Sequence, residues 1–371
     1  AIANVAVPGV VALFALGGVL GVALYHASFG FTSAYRAFLS ERRSAGLRAQ
    51  LVMLALAVVL FFPALGAGQL FGHPVSGNVS PLGTSVVVGA FLFGVGMQLG
   101  GGCASGTLFA AGGGSTRMLV TLAFFIVGSV VGVAQLGWWQ ALPSLPPVSL
   151  VTSLGWPVAL ALNLAAFAAI YVWVKAVERR RHGEVAPISG PLGVRRLISG
   201  PWPIVAGGLV LAVGNFATLA LAGRPWGITS AFGLWGGKLA GAAGIDLSAW
   251  GGWAAPAVQH GLAQPLLTDI TSVMDFGIML GALLAAALAG RFLPARRVPL
   301  GQLTGSVVGG LLMGYGARLA YGCNIGAFFS GIASGSLHGW LWIAAALVGS
   351  AAGIRLRPAF GMAPPPVRGG C

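Results

Sequence analysis

Nine apolar runs, each about as long as a membrane-spanning helix, recur along the whole chain and limit its fold more than any other feature. A helix needs roughly 20 apolar residues to cross the hydrocarbon core of a bilayer. Hydrophobic residues occupy 57% of the 371 positions and charged residues only 7%. The sequence therefore predicts an all-α integral membrane protein with spans at about 5–27, 48–66, 84–100, 117–137, 154–177, 201–222, 276–293, 303–320 and 338–354.

Four further segments are too short or too rich in glycine to cross a bilayer. Irregular backbone at membrane depth is tolerated only where it is buried in protein or lines a watery cavity. We expect short re-entrant half helices at about 28–40, 101–114, 228–245 and 322–335. These segments are the candidates for a pathway through the protein.

Basic residues cluster after the first, fifth, seventh and ninth spans, so all four clusters fall on one side of the membrane. The positive-inside rule makes that side cytoplasmic, with the N-terminus outside and the C-terminus inside. No basic stripe with interleaved aromatic residues accompanies the net charge of +14, so we do not expect the chain to bind nucleic acid. The expected partner of the basic residues is the lipid bilayer. The clusters are Arg42, Arg43 and Arg48; Arg179, Arg180, Arg181, Arg195 and Arg196; Arg291, Arg296 and Arg297; and Arg355 and Arg357.

The chain contains an internal repeat. "FLFGVGMQLGGGCASGTLF" from Phe91 aligns without gaps on "LLMGYGARLAYGCNIGAFF" from Leu311, and "FGFTSAY" from Phe29 matches "WGITSAF" from Trp226 in the same order. An odd number of spans separates the copies, so we expect two inverted repeats with a substrate site where they meet. The predicted parts are a first half at 1–150, a connecting helix and basic loop at 151–200, a second half at 201–358 and a flexible tail at 359–371.

Cys103 and Cys323 are equivalent residues of the two repeats and follow Gly102 and Gly322. Helices restarting after these glycines would point N–H groups at a bound anion. The absence of a C-x-x-C motif weakens a redox role, and no histidine group has ligand spacing, so we expect no metal and no cofactor. A buried neutral thiol is a weak, polarizable donor that suits a soft sulfur-bearing ligand, although it can equally be an inert hydrophobe. Cys371 is expected to be incidental or to accept sulfur from a carrier.

Charged and polar residues lie close to the short segments. Arg224, Lys238 and Arg318 stand apart from the cytoplasmic clusters and either form a cationic mouth or snorkel to the interface, and Arg117 is their counterpart on the inner side. Asp269 and Asp275 are candidates for ion coupling or for helix N-caps, since Asp275 directly precedes the seventh span. The polar groups expected to replace water around an anion are Ser105, Thr107, Asn324, Thr229 and Ser230.

These residues resemble the YeeE/YedE family of membrane proteins, known for thiosulfate uptake. The resemblance covers nearly the whole chain and rests on "GxGxxLxxGC" in both halves, on "WGITSAF" and on "SVMDFGIMLGALLAA" from Ser272. It implies a prokaryotic inner-membrane importer, not an enzyme, in which thiosulfate passes an hourglass-shaped central pore by hydrogen bonds to the thiols of Cys103 and Cys323. It also implies a cytosolic partner, either a TusA-like or TsuB-like sulfur carrier or a rhodanese-like protein.

One departure from the family pattern leaves the substrate open. Family members often carry a third cysteine in the first re-entrant segment, where this chain has Gly30 or Phe31. Sulfite, sulfide and a selenium analogue are therefore alternatives to thiosulfate. A thiol-independent anion channel and a membrane thiol redox protein are alternative functions, and the absence of a G-x-x-x-x-G-K-[ST] motif indicates that the chain does not itself use ATP.

Overall fold

The computed structural model describes residues 7–292, 294 and 297–362, which form an almost entirely helical fold. Arg296 and Cys371 lie outside the described residues, as do positions 363–371 of the predicted tail. The helices of the first part are α1 (Val7–His26), α2 (Phe31–Glu41), α3 (Ala45–Ala67), α4 (Thr84–Gly100), α5 (Ala104–Gly112), α6 (Thr116–Gln140), α7 (Leu150–Leu154), α8 (Trp156–His182) and α9 (Val194–Ser199).

The second part of the chain continues this helical pattern. Its helices are α10 (Ile204–Ala222), α11 (Thr229–Ala242), α12 (Pro256–Ala263), α13 (Ile270–Leu288), α14 (Leu300–Leu319), the π-helix Asn324–Phe329, α15 (Ser330–Ala333) and α16 (Leu337–Leu356), with 3-10 turns at Gly251–Ala254, Leu266–Thr268 and Arg357–Phe360. Two antiparallel pairs of two-residue strands join loops: β1 (Gln69–Leu70) with β2 (His73–Pro74), and β3 (Leu82–Gly83) with β4 (Ser144–Leu145).

The nine predicted spans overlap α1, α3, α4, α6, α8, α10, α13, α14 and α16, and α13 begins six residues before the seventh predicted span. Among the described residues, eight helical stretches are long and apolar enough to cross a membrane. They do not include α14, whose glycines and polar residues lower its hydropathy. The four short segments predicted from the sequence are α2, α5, α11 and the π-helix with α15. The prediction of an all-α, multi-pass membrane protein is confirmed.

Contacts between equivalent helices show that the two repeats run in opposite directions. In α4 and α14, which carry the aligned glycine-rich sequences, Gly89 packs against Gly316 and Gly96 packs against Gly309. The residue number rises along one helix as it falls along the other. Because these helices are repeat equivalents, the repeat is inverted.

The first helix of each repeat has the same antiparallel arrangement. Gly207 of α10 packs against Ala27 at the end of α1, and Gly214 packs against Leu20. The other contacts are also repeated between the halves. Helix α1 packs against α13, and its equivalent α10 packs against α3. Helix α6 packs against α14, and its equivalent α16 packs against α4. Helix α8, which the sequence predicts to connect the two repeats, packs against α3.

Equivalent glycines allow the helices of both halves to approach closely. A Cβ added at Gly94 of α4 would lie 2.3 Å from the carbonyl oxygen of Ala346 in α16. One added at Gly314 of α14 would lie 2.1 Å from the carbonyl oxygen of Phe125 in α6. Small residues at such crossings are the usual means of tight helix packing in membranes. This packing fixes the ends of α4 and α14, from which the short helices depart.

A buried carboxylate fastens the connecting helix α8 to the first half. Glu178 is fully buried and accepts from the backbone N–H and hydroxyl of Ser44, which precedes α3. The Nη2 of Arg48 lies 3.4 Å from its Oε2, and Arg43 is 3.5 Å from its Oε1. A buried charge needs such partners to offset its lost hydration. The contacts of Glu178 with Ser44, Arg48 and Arg43 therefore fix the position of α8 relative to α3.

Candidate functional site

Cys103 lies in the break between α4 and α5. Helix α4 ends at Gly100, and Gly101 takes φ = 91°, a left-handed conformation that glycine adopts without steric cost. Cys103 is the N-cap residue of α5, and its side chain is 1% exposed. Its Sγ lies 3.4 Å from the Oγ of Ser105. The thiol therefore sits at the start of a short buried helix.

Cys323 occupies the equivalent break in the second half. After α14 ends at Leu319, Tyr321 takes φ = 56° and Gly322 takes φ = 144°. The Cys323 side chain is fully buried, and its Sγ accepts from the N–H of Ile325 at 3.4 Å. The helix that follows is a π-helix, with Phe328 N donating to Cys323 O at 3.3 Å, whereas α5 is an α-helix. The repeats thus differ in backbone geometry at their thiols.

The two cysteine segments meet at the centre of the molecule. Helix α5 contacts the π-helix, which brings the segments that follow Cys103 and Cys323 together. Both cysteines are free thiols. The Nδ2 of Asn324 donates to the hydroxyl of Tyr35 at 3.1 Å. Helix α2 therefore brings a phenol hydroxyl to the same buried region.

Buried polar atoms without a hydrogen-bond partner gather around these breaks. They include Thr107 Oγ1, Asn324 Oδ1, Thr32 Oγ1 and the Oε1 of Gln98. Buried polar groups are normally paired, so each of these invites a ligand or a water. Thr107, Asn324 and Ser105 belong to the polar set expected from the sequence, whereas Thr32, Gln98 and Tyr35 do not. The internal repeat could have found them: Thr32 and Tyr35 lie in the repeated segment around "TSA", and Gln98 is the equivalent of Arg318.

A cavity of about 760 Å³ leads toward Cys323. We call it the Arg318 cavity. Its lining includes two arginines and several small polar residues and reaches the two glycines that flank the thiol segment. Asn78 Nδ2 donates to the carbonyl of Gly326 at 2.7 Å, which ties the cavity wall to the π-helix. The lining residues that matter for charge and polarity are Arg224, Arg318, Asn78, Thr229, Ser230, Gly322 and Gly326.

Of the three cations predicted at the mouth, Arg224 and Arg318 line the Arg318 cavity and Lys238 does not. Arg318 donates to the carbonyl of Thr229 and keeps a buried Nε without a partner. Arg224 donates to Thr271 Oγ1 at 3.2 Å on another wall. Lys238 is not among the residues that line this cavity: its Nζ donates to the carbonyls of Leu262 and Gln264, both at 2.7 Å, and holds α11 to the end of α12. Its place in a cationic mouth stays a prediction.

A second group of arginines surrounds the end of α4, near Cys103. Arg117 donates to the carbonyl of Leu99 at 2.8 Å and to Ser306 Oγ at 3.0 Å. Arg357 donates to the carbonyl of Gln98 at 2.7 Å, and the guanidinium group of Arg36 is near enough to both arginines to repel them. We call Arg36, Arg117 and Arg357 the Arg117 cluster. Of these, sequence reasoning named only Arg117 for the site, because it assigned Arg357 to topology.

The two aspartates of the second half have different surroundings. Asp269 is the N-cap of α13, and its Oδ2 accepts from the N–H and hydroxyl of Ser272 at 2.8 and 2.6 Å. Asp275 is not a cap: it lies inside α13, fully buried, with neither oxygen hydrogen-bonded. The interpretation of Asp275 as a cap fails because α13 begins at Ile270, earlier than the predicted span.

The donor set of the site is one of neutral and cationic hydrogen-bond donors. Within the described ranges no group of three or more His, Cys, Asp or Glu side chains is placed to hold a metal ion. Thiols, hydroxyls, amides and helix N–H groups can all donate to an anion, and the arginines lie to either side of the thiols. The arrangement can bind and release an anion without any covalent step.

Comparison with known proteins agrees with this chemistry. The sequence model of a family described as sulphur transport matches residues 26–352. The chain is 29% identical over 341 residues to the thiosulfate transporter TsuA of Spirochaeta thermophila, covering 88% of this chain and 92% of that protein. It is 26% identical over 350 residues to the thiosulfate transporter TsuA of Escherichia coli, covering 90% of each chain. The probable transporter YedE of Escherichia coli is 36% identical over 151 residues, covering 39% of this chain and 36% of YedE.

Proposed function

The chain belongs to the sulphur-transport family, and from that membership we propose that it imports thiosulfate, or a closely related sulfur-containing anion, across a prokaryotic inner membrane. Relatives that match along nearly their whole length are named thiosulfate transporters. The membrane-spanning fold and the family description support transport over catalysis. The termini lie as the basic clusters indicate, with the N-terminus outside and the C-terminus in the cytoplasm.

One observation carries the proposal: the thiols of Cys103 and Cys323 occupy equivalent helix breaks of two inverted repeats that meet at a buried centre. A thiol is a weak, neutral and polarizable donor, so it binds a sulfur anion without holding it as an arginine would. Passage through a pore requires binding that is strong enough to replace water and weak enough to permit release. Two such donors in series provide a relay between the halves.

The route runs from the Arg318 cavity to the Arg117 cluster. Arg224 and Arg318 raise the local concentration of a dianion at the mouth. Thr229, Ser230 and the N–H groups after Gly322 then replace its hydration shell before it reaches Cys323. From Cys103 it passes the free hydroxyl of Thr107 and leaves beside the Arg117 cluster.

The energy for import must come from elsewhere than the chain's own chemistry. Moving two negative charges inward against a potential of 100 mV costs about 4.6 kcal/mol, at about 2.3 kcal/mol for each charge. Either a coupled cation offsets this cost, or a cytosolic protein removes the product. A small sulfur carrier or a rhodanese-like enzyme on the cytoplasmic side fits the second role.

Uptake of sulfur-labelled thiosulfate into cells that lack their own importer tests the proposal. We expect the native chain to support uptake and Cys103→Ala or Cys323→Ala to lower it about tenfold or more, since each removes a donor to a charged ligand. Cys371→Ala is the matched control, because Cys371 belongs to neither repeat. Full uptake by the Cys103→Ala, Cys323→Ala double variant would instead identify a thiol-independent anion channel.

The substrate itself is tested in the same cells. Absence of native uptake would reject thiosulfate, and sulfite or a selenium analogue would be the next anion to assay. A disulfide between Cys103 and Cys323 that changes with quinones, found by thiol labelling, would support a redox protein and contradict transport by free thiols.

A further inference from the structure

We propose that Asp275 carries a proton with each anion, so that the chain is a proton-coupled transporter. This inference rests on the proposed function and names the ion that is coupled to it. Asp275 is fully buried within α13, and both its carboxyl oxygens lack a hydrogen-bond partner. The proposed route of the anion past the two thiols does not involve the Asp275 carboxyl.

Packing alone does not explain the carboxyl. An ionised carboxylate buried without a donor loses its hydration and gains nothing in return, so the neutral acid is the form that fits the described surroundings. Asp269, six residues earlier, shows the contrast, because its Oδ2 accepts from the N–H and the hydroxyl of Ser272 and caps the helix. An apolar residue at position 275 would have served packing better than an unpaired acid.

Position supports a role in coupling. Thr271 lies one turn before Asp275 on the same face of α13. Its hydroxyl accepts from Arg224 at 3.2 Å and is hydrogen-bonded to Ser230 at 3.1 Å, and both of these residues line the Arg318 cavity. Asp275 also lies within electrostatic range of Cys323. Asp275 is therefore one helical turn from a residue that is hydrogen-bonded to the cavity lining, and it lies in the neighbourhood of the first thiol.

Few other charges bear on Asp275. The N-cap residue Asp269 and Cys323 lie within electrostatic range of it, and Arg224 is hydrogen-bonded to Thr271 one turn away. Helices α1 and α13 run parallel, with Gly17 beside Met274 and Gly21 beside Ile278. The remaining titratable and charged groups on the elements packed against α13 are Tyr25 and His26 of α1, Arg195 and Arg196 of α9, Lys238 of α11 and Cys103 at the start of α5.

None of those remaining groups pairs with the carboxyl. Tyr25 and His26 lie about two turns beyond the level of Asp275, given the parallel register of α1 and α13. Lys238 is held by two backbone carbonyls, and Arg196 donates to the carbonyl of Pro191 on the exposed surface. The protonation of Asp275 is therefore governed by burial and by whatever occupies the thiol site.

An anion at that site and a proton on Asp275 stabilise each other. The neutral carboxyl adds one more donor for an anion oxygen, whereas the ionised carboxylate would repel it. By linkage, a bound anion must then favour proton binding by the same factor. A proton taken up from the cavity side travels with the dianion and leaves on the other side, so each cycle moves one proton and one anion with a net charge of minus one.

Liposomes containing the full chain test the inference directly. The probe is thiosulfate, which is fully ionised at neutral pH and so carries no proton itself, with uptake followed by label and lumenal pH by a trapped dye. We expect lumenal acidification with about one proton for each anion, and faster uptake when the outside is acidic. Uptake without acidification would overturn the inference and leave the proposed function intact, whereas absence of uptake under every gradient would overturn both.

Variants of Asp275 test whether its carboxyl is the group that carries the proton. Asp275→Asn keeps the shape and should take up thiosulfate without acidification and without the acceleration by outside acid. Asp275→Glu restores a titratable group and should restore acidification, and Asp269→Asn is the control that keeps it. Acidification by Asp275→Asn at the native ratio would overturn the proposal. Should Asp275→Asn fail to fold, the native ratio decides, since a ratio of zero contradicts it.

Discussion

Gln98 and Arg318 are equivalent residues of the two repeats, and each donates to the backbone carbonyl of the equivalent threonine in its own half. Gln98 Nε2 reaches the carbonyl of Thr32 at 3.2 Å, and Arg318 Nη2 reaches that of Thr229. The contact that holds each short helix to its long neighbour is therefore the same. The charge at this contact differs between the halves, because the first half has the neutral Gln98 and the second half has the cationic Arg318.

Replacing that cation tests the role of the cavity. We expect Arg318→Gln to raise the KM for thiosulfate about tenfold, or roughly 1.4 kcal/mol, because glutamine retains a donor but removes the attraction of a charge. Uptake measured against substrate concentration gives the KM. Lys238→Gln removes the same charge from the same half outside the cavity and should leave the KM unchanged. Equal effects of the two variants would show that only net charge matters.

The hydroxyl of Tyr35 is expected to stabilise the centre of the fold. In Tyr35→Phe the Nδ2 of Asn324 loses its acceptor in a fully buried place, which should cost about 1–3 kcal/mol of unfolding free energy. Thermal unfolding in detergent measures the loss. Tyr315→Phe also removes one hydroxyl, which donates to Gln135 and accepts from Trp139 Nε1 at 2.7 Å, but these contacts are exposed or only partly buried, so water can replace them. A similar drop in both variants would argue against the buried pairing.

The contact between α1 and α13 should reject even a methyl group. A Cβ at Gly281 would lie 2.0 Å from the carbonyl oxygen of Gly18, so Gly281→Ala forces the helices apart, with an expected cost of about 1–3 kcal/mol. Gly241 of α11 has no atom within 4 Å of its added Cβ. Gly241→Ala should therefore be neutral or stabilising by about 0.5–1 kcal/mol, since alanine is the better helix former. Unfolding in graded denaturant compares the two.

The ion pair at α8 gives a prediction about a buried charge. Glu178→Gln leaves Arg48 without its carboxylate in a buried site, which should cost about 3–5 kcal/mol. Glu184, 3.9 Å from Arg43, is 80% exposed. Glu184→Gln should change the unfolding temperature little, because exposed pairs contribute roughly 0–1 kcal/mol. Equal stability of the two variants would contradict the fastening role of Glu178.

Much of the fold could be predicted because the relevant signals are continuous in the sequence. Runs of apolar residues marked the long helices, and glycine-rich interruptions marked α2, α5, α11 and the π-helix. The aligned decamers around Cys103 and Cys323, with an odd number of spans between copies, predicted inversion without coordinates. The π-helix was not predicted, since its extra residue per turn leaves no pattern that distinguishes "NIGAFF" from "ASGTLF".

Side-chain pairing across the repeats was beyond the sequence. Tyr35 and Asn324 are 289 positions apart, and no local pattern links them. The topology predicts Lys238 either at the mouth or snorkelling to the interface, whereas the end of α12 supplies the carbonyls that hold it. Asp275 is a candidate for a cap or for ion coupling because the start of α13, "ITS", lies outside the apolar run, and the structure places Asp275 inside the helix. Tertiary neighbours decide the first two cases, and the true start of α13 decides the third.

The glycines at the helix crossings also bear on how this chain can change over generations. Every single-base change that alters a glycine codon introduces a side chain with a Cβ or ends the chain. At Gly94 and Gly314 a Cβ would meet a backbone carbonyl across the interface, which no rotamer change can move away. A substitution at either glycine therefore forces the two helices apart, whatever side chain stands opposite. Genetic drift should leave these crossings fixed while the lipid-facing surfaces of the same helices diverge.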